Sequence, residues 1–224
     1  MSDQLQLRRD TLANIQAATP AQGELAFATD TGVLYIGDGT NAGGANIGLG
    51  AMMPGYAGGR FYFPGATSPN TETLTANTIY GSPIWILQKQ SFTKLGVEIT
   101  TAAGTNGRLG VYKWASGVPT ALVLDAGAIS TATTGYKELT GLALTLNPGV
   151  YGLAFLPDAA VTVRICNNQG FQYFAALVLG ASGSNQSSEL GVDAPQTYGA
   201  LPATFPTASL AYNLNGSIAT GLRL

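Results

Sequence analysis

Between Arg60 and Leu224 the chain reads as one short β segment after another, each closed by a turn signal, and that rhythm favours an antiparallel all-β fold. The segments are RFYF before Pro64, SPIWIL, FTKLGVEITT, GRLGVYKW, ALVLDAGAI, GYKELTGLALTL, GVYGLAFL, VTVRIC, FQYFAALVLG and, near the end, LAYNLNGSIATGLRL. TNG at 105–107, SGVP at 116–119, NPG at 147–149 and NNQG at 167–170 separate them, placing Gly, Pro and Asn where the backbone must turn. About nine or ten strands at roughly 10-residue spacing, with no apolar repeat of helical period, predict an antiparallel β-sandwich or jelly roll. No fixed-period repeat points to a propeller or β-helix.

The residues before Arg60 have a different texture. QLQLRR alternates polar and apolar residues, GELAFATD does so with Leu25 and Phe27 on one face, and VLYIG is a short apolar run. Between the first two, Pro20 and Gly23 in DTLANIQAATPAQG leave room for at most a single helical turn. Residues 41–59, NAGGANIGLGAMMPGYAGG, are rich in Gly and Ala and uncharged, the composition of a linker. This places an N-terminal β domain at 1–50, a linker at 51–59 and a C-terminal domain at 60–224.

The run Val33-Leu34-Tyr35-Ile36 puts apolar side chains on both faces of its strand, and a three-stranded sheet can cover only one of them. A domain of about 50 residues without disulfide or zinc ligands needs something more to pack on. Association of identical chains supplies it, with Leu25, Phe27, Val33, Leu34, Tyr35 and Ile36 as its core. Hydrophobic residues at 46%, charged residues at 10% and a mean hydropathy of +0.18 suit a chain that buries subunit surface. Around the run, Asp30, Gly32, Gly37, Asp38 and Gly39 read as turn formers, the aspartates bonding local backbone and the glycines taking positive φ.

The same stretch, ATDTGVLYIGDGT, fails as a ligand loop. Asp30 and Asp38 are eight residues apart with an apolar strand between them, which is no calcium-loop spacing. GDGT lacks the lysine and the following helix of a phosphate loop. The chain has no histidine, which removes every Ser-His and Cys-His nucleophile and the commonest metal ligand. Its one cysteine, Cys166 in VTVRICNN, reads as a buried strand thiol. Glycoside hydrolysis needs two facing carboxylates. Glu72, Glu98, Asp125, Glu138, Asp158, Glu189 and Asp193 are available, and Glu98 and Glu138 lie in strand-like segments, where alternation equally well places each on a solvated face. The expectation is a protein with no enzymatic activity, no cofactor and no metal.

Net charge is −2 and the ten basic residues are scattered, Arg8-Arg9 being the only adjacent pair, so no nucleic-acid footprint is visible. No window reaches the roughly 18 apolar residues of a membrane span, and MSDQLQLRRD lacks the apolar core of a signal peptide. Synthesis in the cytoplasm without membrane insertion is expected. For binding, aromatic residues beside polar turns are suited to sugar rings. Trp114 precedes ASGVP, Phe171 and Tyr173 follow CNNQG, and Tyr198 lies in GSNQSSELGVDAPQTYG; Asn167, Asn168, Gln169, Asn185 and Gln186 add amides in loops. For Trp114 and Phe171 the reading as core residues at strand ends outweighs contact.

LQLRRDTLANIQAATPAQGELAFATDTGVLYIGDGTNAGG, Leu5 to Gly44, resembles the N-terminal domain of phage appendage proteins of the major tropism determinant type. The matching positions are Arg8, Arg9, Gly23, Glu24, Thr29, Asp30, Thr31, Gly32, Leu34, Ile36, Gly37, Asp38, Gly39 and Thr40; members often carry a tryptophan soon after GDGT, where this chain has NAGGANIG. The resemblance implies a small β-prism-like domain intertwined in a homotrimer, with Arg8 and Arg9 at the end facing the other virion proteins. The remainder is similar in style to jelly-roll tips of phage fibres and spikes. Together these imply a virion protein, a tail or head fibre or spike, that adsorbs to a host surface glycan or protein through its C-terminal jelly roll. The alternatives are a capsid decoration or baseplate component, and a polysaccharide depolymerase.

Overall fold

The computed structural model describes residues 7–46, 56–64, 67–166, 191–213 and 217–224. The chain divides into two compact units: Met1–Ala57 with Ile86–Gln90 and Thr145–Gly149, and Gly58–Trp85 with Ser91–Leu144 and Val150–Leu224.

In the first unit, β1 (Arg8–Asp10), α1 (Leu12–Ala17), β2 (Leu25–Ala28), β3 (Val33–Ile36) and β4 (Ala45–Asn46) form a four-stranded sheet in sequence order with one helix. β1 runs parallel to β2, and the other pairings are antiparallel. The helix is six residues long, more than the single turn expected. Two groups hold its start: the Thr11 hydroxyl accepts from Asn14 N, and the Asp30 carboxylate accepts from Leu12 N at 2.9 Å. Ile15 is wholly buried on Ala26 and Ala28, whose small side chains let the helix sit close to the sheet. The register puts Ala26 opposite Tyr35 and Ala28 opposite Val33, so these four share the helix face. Leu25 opposite Ile36 and Phe27 opposite Leu34 share the other face, where all four are half-buried.

The turns depart from expectation at two positions. Asp38 does bond its own turn: it accepts from Thr40 N at 2.9 Å and from Asn41 N at 2.8 Å, and the Asn41 bonds hold its carboxyl well below the usual range. Gly32 and Gly39 take the left-handed φ values of 71° and 75°. Gly37 does not; a side chain there would collide with the Ala21 carbonyl, so close approach of two backbone segments is what requires glycine. Asp30 reaches across to the helix start instead of bonding its own turn.

The second unit is built mainly from fifteen described strands, some of whose ends fall in the first. They are β5 (Phe61–Tyr62), β6 (Thr67–Thr73), β7 (Thr78–Ile86), β8 (Gln90–Phe92), β9 (Lys94–Thr101), β10 (Asn106–Ala115), β11 (Val118–Ser130), β12 (Gly135–Leu139), β13 (Leu144–Leu146), β14 (Gly149–Pro157), β15 (Thr162–Cys166), β16 (Gly191–Pro195), β17 (Ala211–Asn213), β18 (Ser217–Ile218) and β19 (Gly221–Arg223). One sheet has the order β11-β10-β14-β7-β16-β17; another runs β18-β15-β9-β19-β5, with β12 added on β9 and β6 on β15; β8 and β13 pair separately. The fold is all-β and sandwich-like, as expected, but has more strands than the sequence suggested. Thr93 splits one expected segment into β8 and β9, residues 140–143 split another, β6 forms in the polar stretch TSPNTET and β16 in the short GVDAP. The expected strand FQYFAALVLG lies outside the described residues.

Alternation positions the two sheets. On β9, Leu95, Val97 and Ile99 are buried while Lys94 and Glu98 on the opposite face stay half-exposed. Leu109, Val111, Leu153 and Phe155 are the buried set on one face of β10 and β14. The other face of that sheet is buried as well: Ile79, Tyr112, Ala154, Leu156, Val192 and Ala194 pack with Leu201 and Phe205 from the segment after β16. Phe205 meets Tyr112 edge-on, 5.2 Å between centroids. The covering segment is tied down by Tyr112 Oη donating to the Pro202 carbonyl at 2.8 Å, by Leu201 N donating to Asp125, and by Tyr198 N donating to the Asn77 side chain.

Candidate functional site

One face of the second sheet of this unit gathers aromatic rings and ion pairs. The register sets them side by side: Tyr136 lies opposite Glu98, Glu138 opposite Gly96, Gly221 opposite Gly96, Arg223 opposite Lys94, and Phe61 opposite Arg223. Directly paired residues share a face, so β5, β19, β9 and β12 present Phe61, Arg223, Lys94, Glu98, Tyr136 and Glu138 together. At its centre the two glycines leave bare backbone. A Cβ on Gly96 would stand 2.8 Å from the Tyr136 ring, and one on Gly221 2.6 Å from the Phe63 ring. The rings occupy the places that side chains would fill.

Phe61 stands 4.6 Å from Tyr136 at an interplanar angle of 57°, and 6.2 Å from Phe63. The Arg223 guanidinium lies 5.3 Å from the Phe61 centroid, within cation–π range. Tyr136 is 38% exposed, one of two large hydrophobic residues so open among those described. Burial of its hydroxyl, and then the Glu138 charge, push the phenol above its ordinary pKa, so it stays a hydrogen-bond donor throughout the physiological range. Around the rings, Lys94 Nζ meets Glu138 Oε1 at 2.7 Å, while Arg223 approaches Glu138 Oε2 only to 3.9 Å. Arg164 grips Glu98 with two bonds of 3.0 Å, Nε to Oε2 and Nη2 to Oε1. Arg223 Nε is buried and has no hydrogen-bond partner among the described residues.

The two carboxylates that sequence singled out for hydrolysis are thus on one face, each already engaged by a cation. The Arg164 bonds hold Glu98 below its usual range, which opposes a proton-donor role. Because the folded pKa is lowered, the pair's stabilisation is present above the unfolded value of 4.5 and is lost as pH falls below it. Thermal unfolding followed from pH 7 to pH 3 is expected to fall more steeply for the unmodified chain than for Glu98→Gln, the two curves converging in acid. Parallel curves would show that the pair contributes nothing.

The other residues expected to act fall elsewhere. Trp114 and Tyr198 are brought together, both packed on the cluster around Tyr112 and Phe205. The Trp114 indole lies over Gly152, and its Nε1 is buried without a partner among the described residues. This geometry favours the core reading of Trp114. Asn167, Asn168, Gln169, Phe171, Tyr173, Asn185, Gln186 and Glu189 lie outside the described residues. Arg8 pairs with Asp10 at 3.8 Å and Glu24 at 4.0 Å, while Arg9 is exposed. Asp125 is taken by Arg108, and Asp158 by Thr105 and Asn106. Asp193 is half-buried, and burial raises its pKa. Cys166 is buried in β15. Among the described residues no cluster of His, Cys, Asp and Glu is arranged to hold a metal ion, and no helix is long and apolar enough to cross a membrane.

Sequence reasoning missed Phe61, Phe63, Tyr136, Lys94 and Arg223 as a group. The available signal was weak: F-Y-F and Y-K-E place like-facing residues at period two, and single glycines interrupt KLGVEIT and TGLRL.

Residues 5–41 match the family described as the major tropism determinant N-terminal domain. The matched segment spans β1, α1, β2, β3 and the Asp38 turn, so the resemblance read from Leu5 onward holds there. No curated protein matches the chain.

Proposed function

We propose that the chain is a structural protein of a phage virion, a tail or head fibre or spike, whose second unit, a jelly-roll tip, adsorbs to a host surface glycan. The tropism-determinant match at residues 5–41 carries this reading. The first unit serves attachment and assembly. Its sheet presents Leu25, Phe27, Leu34 and Ile36 half-buried on the face away from α1, which suits a homotrimer that covers them with neighbouring chains. Arg8 and Arg9 then stand at the end directed to other virion proteins. The second unit supports a binding role through exposed aromatic surface set among charged groups. Adsorption by such an appendage needs no covalent chemistry: several weak sites on one particle multiply a modest single-site affinity.

The test is adsorption. Purified full chain, labelled and incubated with a panel of bacterial strains, is expected to bind a subset of them and to slow adsorption of its parent phage to that subset. Virion incorporation with no binding to any strain or glycan would overturn the receptor role, and shortened host polysaccharide after incubation would overturn the absence of chemistry.

A further inference from the structure

The Phe61, Phe63, Tyr136 and Arg223 face carries an inference about ligand class, one that rests on the adsorption reading. We propose that this face is the sugar-binding site and that its ligand is a glycan bearing a carboxylate, with a pyranose ring against Tyr136 and Phe61 and the acid group at Arg223.

Three observations converge. The first is shape: Tyr136 and Phe61 meet at 57° with centroids 4.6 Å apart, forming a corner whose Tyr136 wall is 38% exposed. A pyranose presents an apolar C–H patch of similar size to a phenyl ring, so such a corner desolvates it while leaving its hydroxyls wet. The second is rigidity. Tyr136 and Phe63 are seated on Gly96 and Gly221, and Phe61 lies between Tyr136 and Phe63, so the rings are in place before a ligand arrives. Preorganised aromatic walls spare the ordering cost that weakens flexible sites.

The third is charge. The face holds Lys94, Arg164 and Arg223 against Glu98 and Glu138, a positive balance on a chain whose net charge is −2. The cations are not equally committed. Lys94 is in direct contact with Glu138 and Arg164 makes a two-bond fork with Glu98, whereas Arg223 stands 3.9 Å from its carboxylate, beyond hydrogen-bond length. Its Nε is buried without a partner among the described residues, while the side chain as a whole keeps 32% of its surface open to a ligand. An unmet guanidinium donor beside aromatic walls is suited to a carboxylate, which it recognises through charge-assisted hydrogen bonds.

The experiment uses the full chain and oligosaccharides of uronic acids and of sialic acid, each beside its carboxyl-reduced neutral counterpart, with the same variants tested on the adsorbing strains. At least one acidic series is expected to bind tenfold or more tighter than its reduced form and to weaken with added salt; which series does so identifies the acid. Arg223→Gln is expected to abolish that preference while keeping weak binding to the neutral form. Tyr136→Ala is expected to lose both, with a retained cooperative unfolding transition confirming that the unit folds; Lys94→Gln, at the rim, provides a second variant that leaves the rings untouched and is expected to reduce acidic binding severalfold. Equal binding of acidic and reduced sugars overturns the proposal. Strain adsorption that survives both Tyr136→Ala and Arg223→Gln overturns this site and leaves the adsorption reading standing, whereas an unmodified chain that binds no strain and no glycan overturns both.

Discussion

Asp125→Ala is expected to lower the stability of the second unit by about 2–3 kcal/mol, seen as a lower denaturant midpoint with an unchanged slope. The side chain is one node for three attachments. Arg108 Nε donates to both of its oxygens at 2.7 and 2.9 Å, Gly127 N donates to Oδ1 at 3.2 Å, and Leu201 N donates to Oδ2 at 3.0 Å. Removing it strands a cation whose side chain is 26% exposed and leaves Leu201 N without its acceptor at the point where the covering segment joins the sheet. Asp125→Asn retains an acceptor for Leu201 N and is expected to cost less. An effect below about 0.5 kcal/mol, the ordinary range for a surface substitution, would show that the pair is merely superficial.

Leu34→Asp is expected to convert the proposed trimer into monomers, read by light scattering as a fall from three times the chain mass of 22.9 kDa to that mass. Leu34 pairs with Phe27 on the face opposite Ala26 and Ala28, so the substitution leaves the packing of Ile15 intact. Circular dichroism of the variant should therefore remain native while a charge buried at an apolar contact abolishes association. A monomeric mass for the unmodified chain would dismiss the association and the reading of Val33 to Ile36 that led to it.

These two sites differ in how legible they were. An apolar second face around Leu34 is legible in sequence, because Val33-Leu34-Tyr35-Ile36 is apolar at every position and alternation puts two of them on each side. Asp125 is not. Its significance depends on Leu201, which reaches it only because residues after β16 fold back over the Tyr112 face, and TYGALPATFP carries no periodicity to announce that. Local chemistry was legible where cause and effect are near in sequence: Asp38 bonds residues two and three positions on. Gly37 looked like the same chemistry but answers to Ala21, and Asp30 answers to Leu12. The ring corner failed for the same reason on a larger scale, since Phe61, Tyr136 and Arg223 meet only through cross-strand register. Trp114 and Tyr198 have the residue type and loop context of sugar contacts and both pack on the Tyr112 cluster, because type alone does not distinguish a ring offered to a sugar from one packed on a core.

The pairing of β5 with β19 also bears on when this chain becomes itself. The first strand of the second unit has its partner in the last described one, Phe61 against Arg223, and β9 depends on that same late strand along its first half. The four-stranded sheet of the first unit closes all its ladders between residues 8 and 46. Contacts so distant along the chain are slow to form, and local ones are fast. The sheet of the first unit and that of the second are thus expected to mature at different times during synthesis, the first ready early and the second held open, with β5 unpaired and one edge of the first half of β9 uncovered, until β19 arrives. For the proposed appendage, that interval is when strand edges of different chains are most exposed to one another, and it is the step most in need of a chaperone or of slow expression.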